Sequence, residues 1–524
     1  MNIAEVLCQH AALRPTAPAI IDTHRGSIRS LSFSELDAQS GRAAALLGKA
    51  GLQAGDGVLV FHPMSAELYT VLIGAFRLGA IPMFLDPSAG REYIERCCGL
   101  WPPKALVASA KAHLLRFTSP ALRKIPLKFS IGMRVPGAIS WERARSLAPA
   151  TQVFEAAAET PALITFTSGS TGAPKAAVRT HGFLLEQHRV LTETLHLAPD
   201  TLDLTTLPIF VLANLGSGVC SLIPDADLRY PGVIKPAPLL RQIRSQKPAS
   251  TAASPAFLER LADYCLERRL GLAELRKIFV GGAPVFPNLL RKLHGVAPQA
   301  ELTAVYGSTE AEPIAEIAYS DIQDSDFEAM VNGRGLLAGP PVPQIRLEVM
   351  EDHWGTPIAP LTERGFRLAL MTLGKPGEIV VSGAHVLPGY LGGEGNSETK
   401  FDVDGARWHR TGDAGYLDDR GRLWLLGRCD ARIEDDRGIL FPFAVECAAQ
   451  QVSGIRRAAV IANGGKRLLA VELDRGTHAE AAGELARKVA WAHIDHVKIL
   501  RKIPVDRRHN AKVNYPELRA LLMR

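Results

Sequence analysis

Nine residues near the middle of the chain combine hydroxyl groups, flexible glycines and a lysine in one segment, Thr167-Ser-Gly-Ser-Thr-Gly-Ala-Pro-Lys175. The two glycines allow backbone N–H groups to turn toward an oxyanion, and the lysine adds a point charge. We therefore expect a loop that holds a triphosphate. Its candidate ligands are Thr167, Ser168, Gly169, Ser170, Thr171, Gly172 and Lys175.

The flanks of this segment differ from those of a P-loop. Pro174 stands where that motif has glycine, and no Ser or Thr follows Lys175. Residues 162–166 and 176–179 are typical of short strands, and an amphipathic helix begins only near His181. The sequence therefore predicts a strand-loop-strand hairpin, without the helix N-terminus that P-loops use. A polar surface hairpin would explain the hydroxyls and glycines, but not the Pro-Lys ending.

A second group, Val305-Tyr-Gly-Ser-Thr-Glu310, follows a predicted strand at 300–304. Tyr306 can stack on a base, and Gly307 permits close approach of the backbone. Thr309 can donate to a phosphate oxygen, and Glu310 can hold the hard cation that accompanies ATP. An ordinary strand-end turn would have a similar composition.

A third group, Trp408-His-Arg-Thr-Gly-Asp413, continues into a predicted hairpin whose turn is 418–421. This reading places Asp413 and Arg428 at opposite ends of the hairpin. An aspartate that accepts from a ribose hydroxyl is common in nucleotide sites, whereas a surface hairpin needs neither residue.

Taken in this order, the three segments resemble the adenylate-forming superfamily of acyl-CoA synthetases, aryl-CoA ligases, luciferases and peptide-synthetase adenylation domains. The resemblance spans the chain and includes Gly281-Gly-Ala-Pro284 and the ending Val505-Asp-Arg-Arg-His-Asn-Ala-Lys512. It implies an α/β fold with a large N-terminal body of mixed sheets flanked by helices, residues 1–429. It also implies a small α+β C-terminal lid domain, residues 430–524, that turns about a hinge at Asp430.

The implied reaction is attack of a carboxylate on the α-phosphate of ATP, which gives an acyl-adenylate and pyrophosphate. Such a transfer needs positioning and positive charge more than a protein nucleophile. Lys512 would bridge the carboxylate and the phosphate, Thr309 would contact the α-phosphate, and Glu310 would bind Mg²⁺. A solvated basic tail is the alternative reading of Lys512, because arginines precede it.

The resemblance also assigns the nucleotide contacts. Gly282 and Ala283 would lie along the adenine, with Tyr306 and Gly307 nearby. Asp413 and Arg428 would hold the ribose, while Lys175 and the hydroxyl loop would hold the departing pyrophosphate.

The acyl group should lie against the segment 208–214, where Phe210, Val211, Leu212 and Asn214 are candidate contacts. The apolar residues suit a fatty or 3-hydroxy fatty acid, although core packing explains them equally well. After the hinge, the segment 433–442 carries acidic residues where basic residues that shape a CoA tunnel are common. This segment, 504–512 and 84–91 look most like the β-lactone synthetase branch of bacterial olefin biosynthesis.

Composition restricts the remaining possibilities. The length of 524 residues indicates more than one domain, and the hydrophobic share of 47% is enough for a large core. The net charge of +6 makes the chain only mildly basic. Aromatic residues make up only 6%, and no basic-aromatic interleaving suggests nucleic-acid binding. The seven scattered cysteines and the N-terminal sequence favour a reducing, cytoplasmic location. The apolar tract 68–85 is interrupted by Arg77, Gly79 and Pro82, so we read it as a helix followed by a strand.

Three functional hypotheses follow. The first is an acyl-adenylate ligase that transfers the acyl group to CoA or to a carrier-protein thiol. The second is an enzyme that makes the same adenylate and closes a 3-hydroxyacyl group to a β-lactone. The third is a pseudoenzyme that binds nucleotide or fatty acid, which the joint presence of Glu310, Asp413, Arg428 and Lys512 disfavours.

Overall fold

A computed structural model describes residues 1–24, 26–85, 90–168, 174–474, 480–506 and 512–523. The chain divides into two compact units. The first unit comprises Met1–Asp225 with Ala384–Ser397, and the second comprises Ala226–Gly383 with Glu398–Arg524. The phosphate-loop residues 169–173 lie outside the described residues, as do residues 86–89 of the segment 84–91.

The helices of the first unit are α1 (Ile3–Leu13), α2 (Phe33–Lys49), α3 (Ala66–Leu78), α4 (Arg91–Leu100), α5 (Leu115–Thr118), α6 (Pro120–Lys124), α7 (His181–Thr194) and α8 (Pro208–Gly216). Its strands are β1 (Pro18–His24), β2 (Ser27–Ser32), β3 (Gly57–Phe61), β4 (Ile81–Phe84), β5 (Ala105–Ser109), β6 (Leu127–Ile131), β7 (Ile139–Ser140), β8 (Pro161–Ser168), β9 (Pro174–Thr180), β10 (Leu202–Thr205) and β11 (Cys220–Leu222).

A mostly parallel sheet runs through the first unit in the order β7-β6-β5-β3-β4-β8-β9, and only its β8–β9 pair is antiparallel. A second set, β10-β11-β1, is parallel, and β2 is added antiparallel. Helix α2 begins with a capping box between Ser32 and Glu35, and α3 ends at Gly79 with φ of 74°. The tract 68–85 is a helix followed by a strand, as predicted.

The helices of the second unit are α9 (Pro236–Gln246), α10 (Pro255–Glu267), α11 (Pro287–Val296), α12 (Asp324–Val331), α13 (Glu363–Ala369), α14 (Asn396–Thr399), α15 (Pro442–Ala449), α16 (Glu480–Lys488) and α17 (Tyr515–Leu522). Its strands are β12 (Ser250–Ala253), β13 (Lys277–Gly281), β14 (Glu301–Ser308), β15 (Ala311–Ala318), β16 (Leu336–Gly339), β17 (Arg346–Met350), β18 (Gly377–Ser382), β19 (Lys400–Val403), β20 (Ala406–Leu417), β21 (Leu423–Arg428), β22 (Ile433–Asp435), β23 (Gly438–Leu440), β24 (Ile455–Asn463), β25 (Lys466–Leu473) and β26 (His496–Leu500).

The strands of the second unit form four groups, and the first two carry Tyr306, Asp413 and Arg428. Strands β12, β13 and β14 are parallel, and β15 returns antiparallel to β14. An antiparallel sheet has the order β16-β21-β20-β18-β17, with β19 added to β20. After residue 430, β22 pairs with β23, and β25 lies between β24 and β26. The predicted domain boundary at Asp430 stays a prediction.

Hydrogen bonds to the side chain of Asp418 stabilise the turn of the predicted hairpin, which spans residues 406–428. The Asp418 carboxylate accepts hydrogen bonds from the backbone N–H groups of Arg420 at 3.0 Å and Arg422 at 2.9 Å, and from Trp424 Nε1 at 3.0 Å. Gly421 adopts φ of 71°, a conformation that favours glycine. The turn sets the register from Leu417 to Gly415, and an irregularity between Ala414 and Gly415 then shifts it by one residue. This shift pairs Asp413 with Arg428 at the open end of the hairpin, so the two residues lie side by side and not at opposite ends.

No helix among the described residues is long and apolar enough to cross a bilayer.

Candidate functional site

A cavity of about 250 Å³ in the second unit brings together residues that lie far apart in the sequence. Its walls come from the end of β13, from β14, from the open end of the β20–β21 hairpin, and from segments after residue 440. Seven of the residues predicted from sequence line it: Gly282, Ala283, Tyr306, Gly307, Asp413, Arg428 and Lys512.

The carboxylate of Asp413 connects two other residues that line the cavity. It accepts a hydrogen bond from the Tyr306 hydroxyl at 2.7 Å and another from Arg428 Nη1 at 3.1 Å. Burial and the neighbouring carboxylate raise the pKa of Tyr306, so this hydroxyl remains a donor. Burial opposes ionisation of Arg428, but the charges of Asp413 and Asp430 and the hydrogen bond to Asp413 together raise the pKa of the guanidinium. A carboxylate has about four acceptor positions, so Asp413 can still receive hydroxyl donors.

Arg428 packs against Trp354, which also contacts Arg410. The rings of Trp354 lie 5.7 Å from the Arg428 guanidinium and 5.5 Å from that of Arg410. Arg410 is fully buried in an ion pair with Glu378 at 2.6 Å. Gly412 has φ of 69°, and a Cβ there would come within 2.6 Å of Arg428 Nη2. The backbone at Gly412 is therefore close-packed against the arginine.

Thr309 and Glu310 form the two-residue turn between β14 and β15. The strand extends to Ser308, beyond the predicted end at 304, so Tyr306 and Gly307 lie on a strand and not in a turn. The Ser308 hydroxyl accepts from the backbone N–H groups of Glu310 at 3.2 Å and Ala311 at 3.3 Å, which shapes the turn. Ser308 itself lines the cavity.

A buried cation interacts electrostatically with Glu310. Lys400, on β19, is 3% exposed. Burial lowers the pKa of Lys400 to about 7, and the Glu310 carboxylate acts in the opposite direction. Burial, together with the Lys400 charge, lowers the pKa of the adjacent His409 to about 3. The sequence analysis did not single out Lys400, because an isolated lysine gives no signal of burial.

Lys512 is exposed and directly precedes Val513, which forms a β-bridge with Val505. The N–H of Lys512 donates to Asp506 Oδ1 at 2.9 Å, and its carbonyl accepts from the Asp506 N–H at 2.8 Å. Val505 and Val513 form an isolated antiparallel bridge around the same segment. These contacts hold the backbone of Lys512, and the residue is among those that line the cavity.

Three residues beyond Lys512, Tyr515 anchors the segment. Its hydroxyl donates to Glu446 Oε1 at 2.7 Å, and both residues line the cavity. Glu446 is 1% exposed, and burial raises its pKa to about 7, although the Tyr515 hydrogen bond and the Arg457 charge act in the opposite direction. The sequence analysis missed this pair because 69 residues separate its members.

The predicted phosphate hairpin belongs to the first unit. Strands β8 and β9 are antiparallel, with Thr167 opposite Lys175 and Ser168 opposite Pro174, so the strand-loop-strand prediction is confirmed. Residues Gly169, Ser170, Thr171 and Gly172 lie outside the described part of the chain.

Lys175 is only 7% exposed. Its Nζ lies 5.5 Å from the centre of the Tyr390 ring. Gly395, with φ of 85°, leaves room for the lysine, because a Cβ there would collide with Lys175 Cε. Tyr390 and Gly395 lie more than 200 residues beyond Lys175, so no local pattern could indicate them.

The predicted acyl segment forms helix α8 of the first unit. Asn214 is buried, and its side-chain amide already has partners. Its Nδ2 donates to Asp203 at 3.3 Å, to Thr205 at 3.0 Å and to Ser221 at 3.0 Å. An acyl-binding role for this segment stays a prediction. Its buried apolar candidates are Phe210, Val211 and Leu212.

The donor set of the cavity suits a nucleotide. Arg428, Arg457 and Lys512 supply positive charge, and Asp413 supplies an acceptor for hydroxyl groups. For Mg²⁺ the described residues contain no cluster of three or more His, Cys, Asp or Glu side chains. Mg²⁺ in nucleotide enzymes is commonly held by one or two carboxylates plus phosphates. The candidate carboxylate, Glu310, lies two residues beyond the lining residue Ser308, and neither it nor Thr309 is among the residues that line the cavity.

Comparison with known proteins places these features in context. A model of the AMP-binding enzyme family matches residues 7–391. The chain is 31% identical over 519 residues to the olefin beta-lactone synthetase of Xanthomonas campestris pv. campestris, and 29% identical over 512 residues to that of Stenotrophomonas maltophilia. Each alignment covers 93% of this chain and 90% of the relative.

The fold also matches solved structures. One is the anthranilate CoA ligase AuaEII in complex with anthranoyl-AMP, with a TM-score of 0.86 at 17% sequence identity. That match covers 100% of this chain and 97% of the solved chain.

Proposed function

The chain belongs to the AMP-binding enzyme family, and from this premise we propose that it adenylates a hydrophobic 3-hydroxy acid and closes the product to a β-lactone. Its adenylate-forming fold and its relatives identify it as an acid-activating, AMP-forming enzyme of a family that uses ATP. The predicted fold class and acyl-AMP formation are thus confirmed. The acid, the second step and the roles of individual residues are the proposed part.

The observation that carries the proposed site is that Lys512 lines the same cavity as Tyr306, Asp413 and Arg428. In this proposal Asp413 accepts from ribose hydroxyls and Arg428 holds Asp413 in place. Gly282, with φ of 83°, brings the backbone of the 281–284 segment along the adenine. Lys512 offsets the charge that builds up as the carboxylate meets the α-phosphate.

Other residues complete the proposed ATP site. Glu310 would hold Mg²⁺, and Thr309 would donate to the α-phosphate. Bound Mg²⁺ would supply electrostatic stabilisation of the phosphate oxygens. In the first unit, Lys175 would hold the pyrophosphate end together with the hydroxyl loop that begins at Thr167 and Ser168.

The proposed second step uses a nucleophile that the substrate carries. The oxygen of the 3-hydroxyl attacks the acyl carbonyl carbon, the bond from that carbon to the AMP oxygen breaks, and the hydroxyl proton passes to solvent. A four-membered lactone and AMP result, and no thiol is consumed. The relatives named olefin beta-lactone synthetases, aligned over 93% of this chain, support this choice.

The acidic hairpin after the hinge gives further support. In β22, the Asp435 carboxylate pairs with Arg467 at 2.6 Å and with Arg437 at 2.9 Å. Hydrogen bonds from Arg467 and Arg437 lower the pKa of Asp435, so it is ionised at neutral pH. Two arginines neutralise Asp435, and the exposed carboxylates of the hairpin are those of Glu434 and Asp436. Exposed carboxylates are poorly suited to a CoA phosphate, which favours a second step without CoA.

The acid and the location are also part of the proposal. The apolar residues of α8 favour a long alkyl chain. All seven cysteines are free thiols, which is consistent with a cytoplasmic enzyme.

Product analysis tests the proposal. The full chain is incubated with ATP, Mg²⁺ and either a long-chain fatty acid or its 3-hydroxy analogue, with and without CoA, and products are identified by mass spectrometry. We expect a β-lactone from the 3-hydroxy acid alone and stalled acyl-adenylate from the fatty acid. Formation of a thioester only when CoA is present would establish transfer to a thiol instead. Absence of pyrophosphate release with every acid would favour a nucleotide-binding protein.

A further inference from the structure

Three large apolar side chains are exposed on one face of the first unit. Leu114 is 61% exposed, Phe117 is 79% exposed and Met133 is 75% exposed. They come from the turn Ala112–Leu114, from α5 and from the loop after β6. Scattered single apolar residues are normal on a surface, but a group of them marks a binding surface.

Hydrogen bonds connect the segments that carry these side chains. Arg116 Nη1 donates to the carbonyl of Pro136 at 3.4 Å, which joins α5 to the loop that contains Met133. Arg123 Nη2 donates to the carbonyl of Phe117 at 3.3 Å, which joins α6 to α5. The apolar residues and the arginines therefore belong to one surface, which we call the Phe117 face.

The Phe117 face is strongly cationic. Residues 96–141, which carry this face, include eight Lys and Arg and no Asp or Glu, whereas the whole chain has a net charge of only +6. Of the eight, Lys104 pairs with Asp56 at 2.8 Å, and Glu142 directly follows the stretch. Burial and then the Arg116 charge lower the pKa of Lys128, so these cations lie close enough to repel each other. The carboxylate of Glu95 approaches this surface, but it accepts from the Ser119 hydroxyl at 2.5 Å and from the Ala121 N–H at the start of α6.

We propose that the Phe117 face binds the surface of an anionic lipid bilayer. Phe117, Leu114 and Met133 insert between the headgroups, and the surrounding arginines pair with lipid phosphates. Charge complementarity favours this partner, because a bilayer with anionic lipids offers both negative charge and an apolar interior. A nucleic acid would engage the same cations, but its phosphate backbone gives no role to three exposed apolar side chains. The inference does not depend on the proposed second step.

Vesicle sedimentation with the full chain tests the inference. We expect the protein to sediment with vesicles of phosphatidylglycerol and phosphatidylcholine, to do so less at high salt, and to stay in the supernatant with phosphatidylcholine alone. Phe117→Ser should weaken binding about tenfold by removing an inserted ring. Arg134→Gln should weaken it about fivefold by removing one cation.

The matched control is Leu368→Ser in the second unit, because Leu368 is 80% exposed and is not part of this face. It should bind vesicles as the unaltered chain does. Met133→Ser provides a second apolar variant if Phe117→Ser lowers the melting temperature. Equal sedimentation with both kinds of vesicle, or with neither, would overturn the proposal. So would equal effects of the Phe117 and Leu368 variants.

Discussion

Lys175 in the first unit and Lys512 in the second unit differ in what holds them. Lys175 is 7% exposed, with the Tyr390 ring at 5.5 Å and Gly395 against its side chain. Lys512 is exposed, and its backbone N–H and carbonyl form hydrogen bonds with Asp506. Side-chain packing therefore holds Lys175, whereas the contacts described for Lys512 hold its backbone. The contrast is consistent with the proposed roles, in which Lys175 holds phosphate and Lys512 is carried by a lid that moves.

The largest expected effect is that of Lys512→Ala. If Lys512 acts only while the acyl-phosphate bond forms, its loss should slow adenylate formation about a thousandfold, or roughly 4 kcal/mol. ATP affinity should change little, because the fixed wall of the cavity remains. Pyrophosphate release and equilibrium ATP binding measure the two quantities separately.

Lys498→Ala, on the exposed strand β26, is the control for this variant and should leave both quantities unchanged. Adenylate formation at the unaltered rate in Lys512→Ala would show that this lysine has no catalytic role. Equal losses of ATP binding and of rate would assign it to the fixed wall instead, and the contrast with Lys175 would fail.

The next prediction concerns the anchor of the Lys512 segment. Burial raises the pKa of Glu446 from its usual 4.5 to about 7, so the folded chain holds this proton more tightly than the unfolded chain. The stability that results is complete below about pH 4.5 and is lost as the pH rises through about 7. Glu446→Gln keeps a hydrogen-bond acceptor for Tyr515 but does not titrate. Relative to the unaltered chain, its stability should therefore increase by roughly 3 kcal/mol between about pH 4 and pH 8.

Denaturant unfolding across this pH range measures the difference. Glu434→Gln, exposed on the neighbouring strand β22, serves as the control and should follow the unaltered chain at every pH. Parallel pH profiles for Glu446→Gln and the unaltered chain would mean that Glu446 is ionised in the folded state.

A smaller effect is expected at the fixed wall of the cavity. Asp413→Ala removes the acceptor of both Tyr306 and Arg428, and it leaves the guanidinium without its carboxylate partner. We expect ATP to bind about thirtyfold more weakly, or about 2 kcal/mol. Asp402→Ala removes a carboxylate from an exposed pair with Arg407 and should not alter ATP binding. Unchanged ATP affinity in Asp413→Ala would contradict the proposed ribose contact.

The two lysines also show what the sequence could predict. Local patterns predicted the β8–β9 hairpin around Lys175 and the hairpin that carries Asp413 and Arg428, because turn chemistry and strand alternation act over a few residues. The partners Tyr390, Gly395 and Glu446 were not predicted. Each is brought to its lysine segment by tertiary packing of distant elements, which leaves no period or spacing in the sequence. Residue order predicted which segments carry candidate site residues, while packing determined which side chains contact them.

The smallest expected effect comes from two neighbouring glycines that separate backbone strain from packing. Gly392 and Gly395 both have positive φ, of 67° and 85°, so alanine at either position should cost about 1 kcal/mol of stability. Only at residue 395 would the added Cβ meet Lys175, since residue 392 has open space around it. Gly395→Ala should therefore raise the KM for ATP about fivefold, or about 1 kcal/mol, by displacing the lysine. Gly392→Ala should lower the melting temperature about as much as Gly395→Ala does, and it should leave the KM for ATP unchanged. Equal KM values in the two variants would show that close packing around Lys175 does not set its contact with ATP, and its buried position would then be a matter of stability alone.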